Sequence, residues 1–158
     1  DTVAVGALHN DGEAEAGRYG CVNCRGSVRV FFWSSSREEW LQRGNDIDGA
    51  QDQDFFGSSV ALNDAGNVIV IGSPQTGDSS KRGLAYVYKW DNEKERWQKR
   101  GSCIEGTDGG DVFGSSVSIS NPGKTIAVGA YLHDGKNHNV VRISKVKTRT
   151  TPVGIRWP

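Results

Sequence analysis

Apolar and polar positions along the chain change period several times, and never settle into the spacing of three and four that marks an amphipathic helix. Phe55 to Leu62 alternates in a period of two and contains β-branched Val60, which predicts a strand with one covered face. Val68-Ile69-Val70-Ile71 is a short continuous apolar run, the pattern of a strand buried on both faces. Between them, Asn63-Asp64-Ala65-Gly66-Asn67 is a cluster of turn formers with a glycine able to take positive φ, so the two strands form a hairpin. After a polar loop, Gly83-Leu84-Ala85-Tyr86-Val87-Tyr88-Lys89-Trp90 predicts a third strand from its aromatic and β-branched content. A charged, solvated turn, Asp91 to Arg96, leads to a fourth piece, Trp97 to Ile104.

This four-strand antiparallel unit recurs. Phe56-Gly57-Ser58-Ser59-Val60 returns as Phe113-Gly114-Ser115-Ser116-Val117, 57 residues later. At the same offset Trp40 returns as Trp97, Gly44 as Gly101, Ile47 as Ile104, Gly49 as Gly106, Asp54 as Asp111, Ile69 as Ile126 and Gly72 as Gly129. A fixed period of this size predicts repeated units that need their neighbours to cover apolar faces. Thr2 to Ala7 matches Thr125 to Ala130, and Gly26 leads to Trp33 and Trp40 as Gly83 leads to Trp90 and Trp97. The first unit carries a nine-residue insertion, since 19 residues separate Gly6 from Gly26 and only 10 separate Gly72 from Gly83. Val140 to Ile143 supplies a third strand for the last unit, after which the pattern dissolves. The predicted division is 1–47, a partial first unit with the insertion; 48–104, a complete second; 105–143, a partial third; and 144–158, a divergent tail made basic by Lys145, Lys147, Arg149 and Arg156.

The order Phe-Gly-x-Ser-Val, an apolar strand ending in Gly72-Ser73-Pro74 or Gly129-Ala130-Tyr131, and then Gly83-x-Ala85-Tyr86-Val87-Tyr88 resembles the FG-GAP repeats of integrin-α-like β-propellers, over residues 2 to about 143. The resemblance implies an all-β fold of four-stranded antiparallel blades around an axis, and a domain serving adhesion or recognition at the cell surface or outside the cell. The chain holds about 2.8 periods, whereas closed propellers use roughly four to eight blades. The expectation is an incomplete propeller that needs further blades, from a longer chain or from self-association.

Composition narrows the function. With 19 basic and 19 acidic side chains the formal net charge is zero, which offers no field to collect nucleic acid or an acidic membrane. No apolar run approaches the roughly 18 residues of a membrane helix, so no membrane insertion is expected from this segment. No basic, apolar leader precedes Asp1, so a signal peptide is either absent or was never part of the segment.

Chemistry-bearing candidates are few. Many integrin-like repeats hold calcium in an Asp-rich loop between the first two strands, but the loops here, Asn63 to Asn67 and Ser120 to Lys124, carry one carboxylate and a lysine respectively. That site is not carried over, and no cofactor is required. A different acidic cluster, Asp46, Asp48, Asp52 and Asp54, precedes the Phe-Gly strand; Asp48 and Asp54, with Asp52 next, are the candidate ligands for calcium, against a solvated turn as the plain alternative. At the repeat offset these positions read Cys103, Glu105, Gly109 and Asp111, so only half stay acidic. Cys21-Val22-Asn23-Cys24 lacks the second ligand pair of a zinc site, which leaves a local disulfide or two free thiols. His9, His133 and His138 form no ligand pattern. Ser58, Ser59, Ser115 and Ser116 recur with the unit, which argues for packing and against catalysis, and no nucleophile elbow or phosphate loop is present. Trp33 with Trp40, and Trp90 with Trp97, flank turns at one spacing and are predicted to pack across strands rather than serve as sugar platforms. The leading functional expectation is a non-enzymatic recognition module that binds protein or glycan through inter-strand loops; the alternatives are a scaffold within a larger enzyme and a purely structural spacer.

Overall fold

The computed structural model describes residues 1–10, 24–75 and 80–132, together with the backbone of 141–145. Cys21, most of the long insertion, His133, His138 and the basic end from 146 lie outside the described residues. All regular structure among the described residues is antiparallel β. The first sheet contains β1 (Thr2–Ala7), β2 (Ser27–Ser34) and β3 (Glu39–Gln42) in that order, with the short β4 (Ile47–Asp48) also on β2. The second contains β5 (Ser59–Leu62), β6 (Val68–Ser73), β7 (Leu84–Asp91) and β8 (Arg96–Lys99), with β9 (Ile104–Glu105) on β7. The third runs β10 (Phe113–Ile119), β11 (Thr125–Ala130), β12 (Val141–Lys145).

The predicted hairpin is present, with Val60 opposite Ile71 and Leu62 opposite Ile69. Its turn closes on itself: Asn63 Oδ1 accepts from the backbone of Asn67 and Val68, at 3.0 and 2.8 Å, and Gly66 takes φ 60°. The charged turn at Asp91 is held the same way, its Oδ1 accepting from the amides of Glu93 and Lys94. Two details differ from expectation. The fourth piece is split into β8 and β9, so that Asp48 and Glu105, at the predicted unit boundaries, pair back onto Ser27 and Leu84 of the preceding sheets. Regular pairing of β5 also starts only at Ser59, because Phe55 and Gly57 take φ values of 49° and 85° and turn the chain.

That turn joins the sheets. A Cβ on Gly26 or Gly49 would strike Phe56, and one on Gly6 would lie 2.0 Å from the Gly57 carbonyl. The next junction repeats this: Phe113 lies against Gly83 and Gly106, and a Cβ on Gly72 would lie 1.9 Å from the Gly114 carbonyl. The Phe-Gly segments of the second and third sheets are thus seated on glycines of the sheet before them, where backbone approaches too closely for any side chain. Ser59 Oγ adds a bond from the second sheet to the Gly114 carbonyl at 2.8 Å.

The core lies between sheets, not inside one. Val28, Val30, Ile47 and Phe56 meet Ile69, Ile71 and Tyr86 at the first junction. Val68, Val70, Ala85 and Val87 meet Phe113, Ile126, Val128 and Ala130 at the second. The second sheet is covered on both faces, which is why all six residues of β6 are buried and why Val68 to Ile71 is an unbroken apolar run.

Candidate binding groove at the first sheet junction

The members of the predicted acidic cluster have different partners. Asp54 is fully buried; its Oδ1 accepts from Gln75 Nε2 at 2.8 Å, its Oδ2 from the Gln51 amide at 2.9 Å, and its carbonyl from Ser73 Oγ at 2.7 Å. It latches the loop before β5 onto the end of β6. Asp52 pairs with Arg25 at 3.2 Å on the surface. Asp46 accepts from Arg29 Nε at 2.8 Å and Gln42 Nε2 at 2.7 Å; the Arg29 bond, above all, holds its carboxyl below the usual carboxylate range. Asp48 is shifted the other way, chiefly by partial desolvation and then by the charge of Asp46. Among the described residues no three His, Cys, Asp or Glu side chains converge as metal ligands. Cys24 is disulfide-bonded and Cys103 is free.

The tryptophans pair across strands. Trp33 faces Trp40 in register, and Trp90 faces Trp97, each pair edge to face with ring centroids 5.6 and 5.5 Å apart. Between Trp33 on the first sheet and Trp90 on the second lies a groove of about 570 Å³, inside the range typical of small-ligand sites. Its floor and walls include Phe32, Trp33, Gln42, Arg43, Trp90 and Glu95.

Arg43 organises the groove. Just beyond β3, it stacks its guanidinium over the Trp90 ring at 5.0 Å and donates from Nη1 to the Gly66 carbonyl at 3.0 Å, while its own carbonyl accepts from Trp97 Nε1 at 2.9 Å. Gly44 must be glycine: its φ is 77°, and a Cβ would lie 2.7 Å from the Trp90 ring. Burial lowers the Arg43 pKa somewhat, but an arginine stays charged throughout the physiological range. Three contacts from one segment of the first sheet onto the second make this corner rigid.

Sequence reasoning had not singled out Arg43, Gln42, Phe32 or Glu95. The usable signal was departure from the repeat: at the 57-residue offset Phe32 becomes Lys89 and Gln42 becomes Lys99, while Trp33 and Arg43 stay Trp90 and Arg100. The corresponding corner of the second sheet is a smaller cavity of about 370 Å³ whose walls are polar and charged, among them Lys89, Asp91, Glu93 and Arg100.

The FG-GAP repeat family matches residues 47–88 and 105–140. No curated protein matches the chain.

Proposed function

Since the chain carries two FG-GAP repeats, and with them the antiparallel blades of a β-propeller-type module, we propose that it is a non-enzymatic recognition module of adhesion type, binding protein or glycan outside the cell. The observation that carries this reading is the division of labour in the repeat. Positions that recur, the Phe-Gly turns and the glycines beneath them, are consumed in joining the sheets. Positions that do not recur, Phe32 and Gln42, line an open groove on that rigid frame. FG-GAP repeats belong to proteins that are generally non-enzymatic and typically extracellular. The disulfide at Cys24 suits an oxidising compartment. No helix among the described residues is long and apolar enough to cross a membrane.

The test is surface plasmon resonance of the whole chain against fetuin, mucin and ovalbumin, each before and after enzymatic deglycosylation. Saturable binding that substitution of surface residues abolishes, with the circular dichroism spectrum unchanged, supports recognition. No binding across the panel makes the chain a spacer, and hydrolysis of chromogenic esters or glycosides above the buffer rate places it among enzymes.

A further inference from the structure

We propose that the open edge of β1 receives an extended segment of another polypeptide chain, added antiparallel, with apolar side chains over Val3 and Val5 and small ones between them. The site is a row of backbone groups, not the groove beside Trp90. Strand order in the first sheet starts at β1, so among the described residues one side of this strand has no neighbour. The Trp33 amide donates to the Asp1 carbonyl at 3.1 Å, which sets the alternation of the ladder. Val3 and Val5 exchange bonds with Phe31 and Arg29, and the amides and carbonyls of Thr2, Ala4 and Gly6 point away from β2. The other two sheets have these same groups in use. Val68 and Gly72, the counterparts of Thr2 and Gly6, accept from the Asn63 and Gly57 amides, each at 3.0 Å, and Thr125 accepts from Ser120 at 2.8 Å. Thr2 to Ala7 carries none of the devices that close an edge, having no proline, charge or bulge.

The repeat also specifies the strand that fits. In β5, Val60 and Leu62 lie opposite Ile71 and Ile69, both fully buried, and in β10, Val117 and Ile119 repeat this against Val128 and Ile126. The counterparts on β1, Val5 and Val3, are exposed. The alternate positions of β5, Ser59 and Ala61, are small, and Ser59 Oγ reaches the Gly114 carbonyl of the following sheet. At the first junction the carbonyl in that place belongs to Gly57 and lies over Gly6, where a serine of the incoming strand would meet it in the same way. The required segment thus reads serine, apolar, small, apolar. Both described stretches of that pattern are already paired, β5 with β6 and β10 with β11, and withdrawing either would open a hydrophobic cluster. A second copy of the chain is therefore a poor donor, and a strand from a different polypeptide is the fitting one.

The experiment titrates the full chain with a labelled synthetic peptide of the sequence Asp54 to Asn63, read by fluorescence anisotropy, and saturable binding is expected. In β5 the Asn63 amide faces β6, so by alternation the Ala61 amide does too and the Val60 amide faces away. Methylating the peptide nitrogen at the Ala61 position should weaken binding about tenfold, and methylating it at the Val60 position should leave binding unchanged. Ala4→Pro, which takes an amide from the open edge and none from the ladder with β2, should weaken binding to the same degree with the circular dichroism spectrum preserved. Should that variant lose its fold, the two methylated peptides decide alone. Binding indifferent to the methylated position would mean apolar adhesion and overturn the proposal, as would the absence of saturable binding. A chain that light scattering shows to be a dimer, dispersed by Ala4→Pro, would make the edge a contact between copies and equally overturn it. Retention on the glycoproteins without uptake of the peptide would sink the strand site and leave the recognition reading standing.

Discussion

The face that the second sheet turns toward the first and the face that the first sheet turns away from the second occupy the same positions of the repeat. In the second sheet Ile69 and Ile71 are fully buried, and Tyr86, Tyr88 and Trp97 pack with them against Val28, Val30 and Ile47. In the first sheet the matching places hold Val3 and Val5, at 40% and 52% accessibility, with Arg29, Phe31 and Trp40 beside them. The registers are identical: Ile71 pairs with Tyr86 and Val5 with Arg29, Ile69 with Tyr88 and Val3 with Phe31. Strand pattern therefore sets which side chains share a face, and a neighbouring sheet sets whether that face is core. The stability of such a chain is the sum of what each unit contributes by itself and what its junctions with neighbours add.

The sharpest way to break this comparison is at the backbone. Gly72→Ala should cost more than about 4 kcal/mol, since its Cβ would collide with the Gly114 carbonyl at a position where nothing flexible can yield. Gly101→Ala meets no atom within 4 Å and carries only the strain of φ 73°, about 1 kcal/mol. Urea unfolding of the two variants measures the difference, and equal losses would refute the close seating of the sheets. Ile71→Ala should cost about 2 to 5 kcal/mol, while Val5→Ala, its counterpart on the open face, should stay within about 0.5 kcal/mol. A large loss at Val5 would mean that its face is covered in solution.

The covered face also has a pH signature. Burial, reinforced at Tyr86 by the charge of Asp54, pushes the phenols of Tyr86 and Tyr88 above their ordinary value. A raised phenol favours the folded state below its unfolded pKa of about 10, and this contribution is lost as pH rises through the folded value. Phenolate absorbance from these two should appear only together with alkaline unfolding, and Tyr86→Phe should move that transition to higher pH. The smallest effect belongs to the open side. Asp48, raised by desolvation and by Asp46, is more comfortable protonated in the fold, so Asp48→Asn should leave stability unchanged or higher near neutral pH, by at most about 0.5 kcal/mol. Asp46 has the opposite sign, its contribution present above about pH 4 and lost as pH falls through its lowered folded value, and Arg29→Ala should remove that acid step.

The comparison also explains how legible the molecule was. The hairpin at Asn63–Asn67, the doubly buried run of β6, the Trp cross-strand pairs and the FG-GAP repeat were readable because each is written in neighbouring residues or in an exact offset. The start of the second unit's Phe-Gly strand was read too early because the left-handed φ of Phe55 and the seating of Phe56 on glycines of the preceding sheet are not written in the local pattern. The acidic run before the Phe-Gly strand was legible, but not that Gln75, Arg25 and Arg29 would bond to Asp54, Asp52 and Asp46, because those partners come from other parts of the chain. The groove was missed because Arg43 and Trp90 meet only when two sheets pack.

By itself the sequence determined the strands, their alternation, the repeat and the glycines, since these depend on φ, ψ and side-chain period within one unit. Tertiary structure decided which apolar face became core, which carboxylate was buried, and which unrepeated side chains came to share a groove. Those outcomes depend on contacts between residues tens of positions apart, where the energy of desolvation is settled by what lies across the junction and not by the strand that carries the side chain.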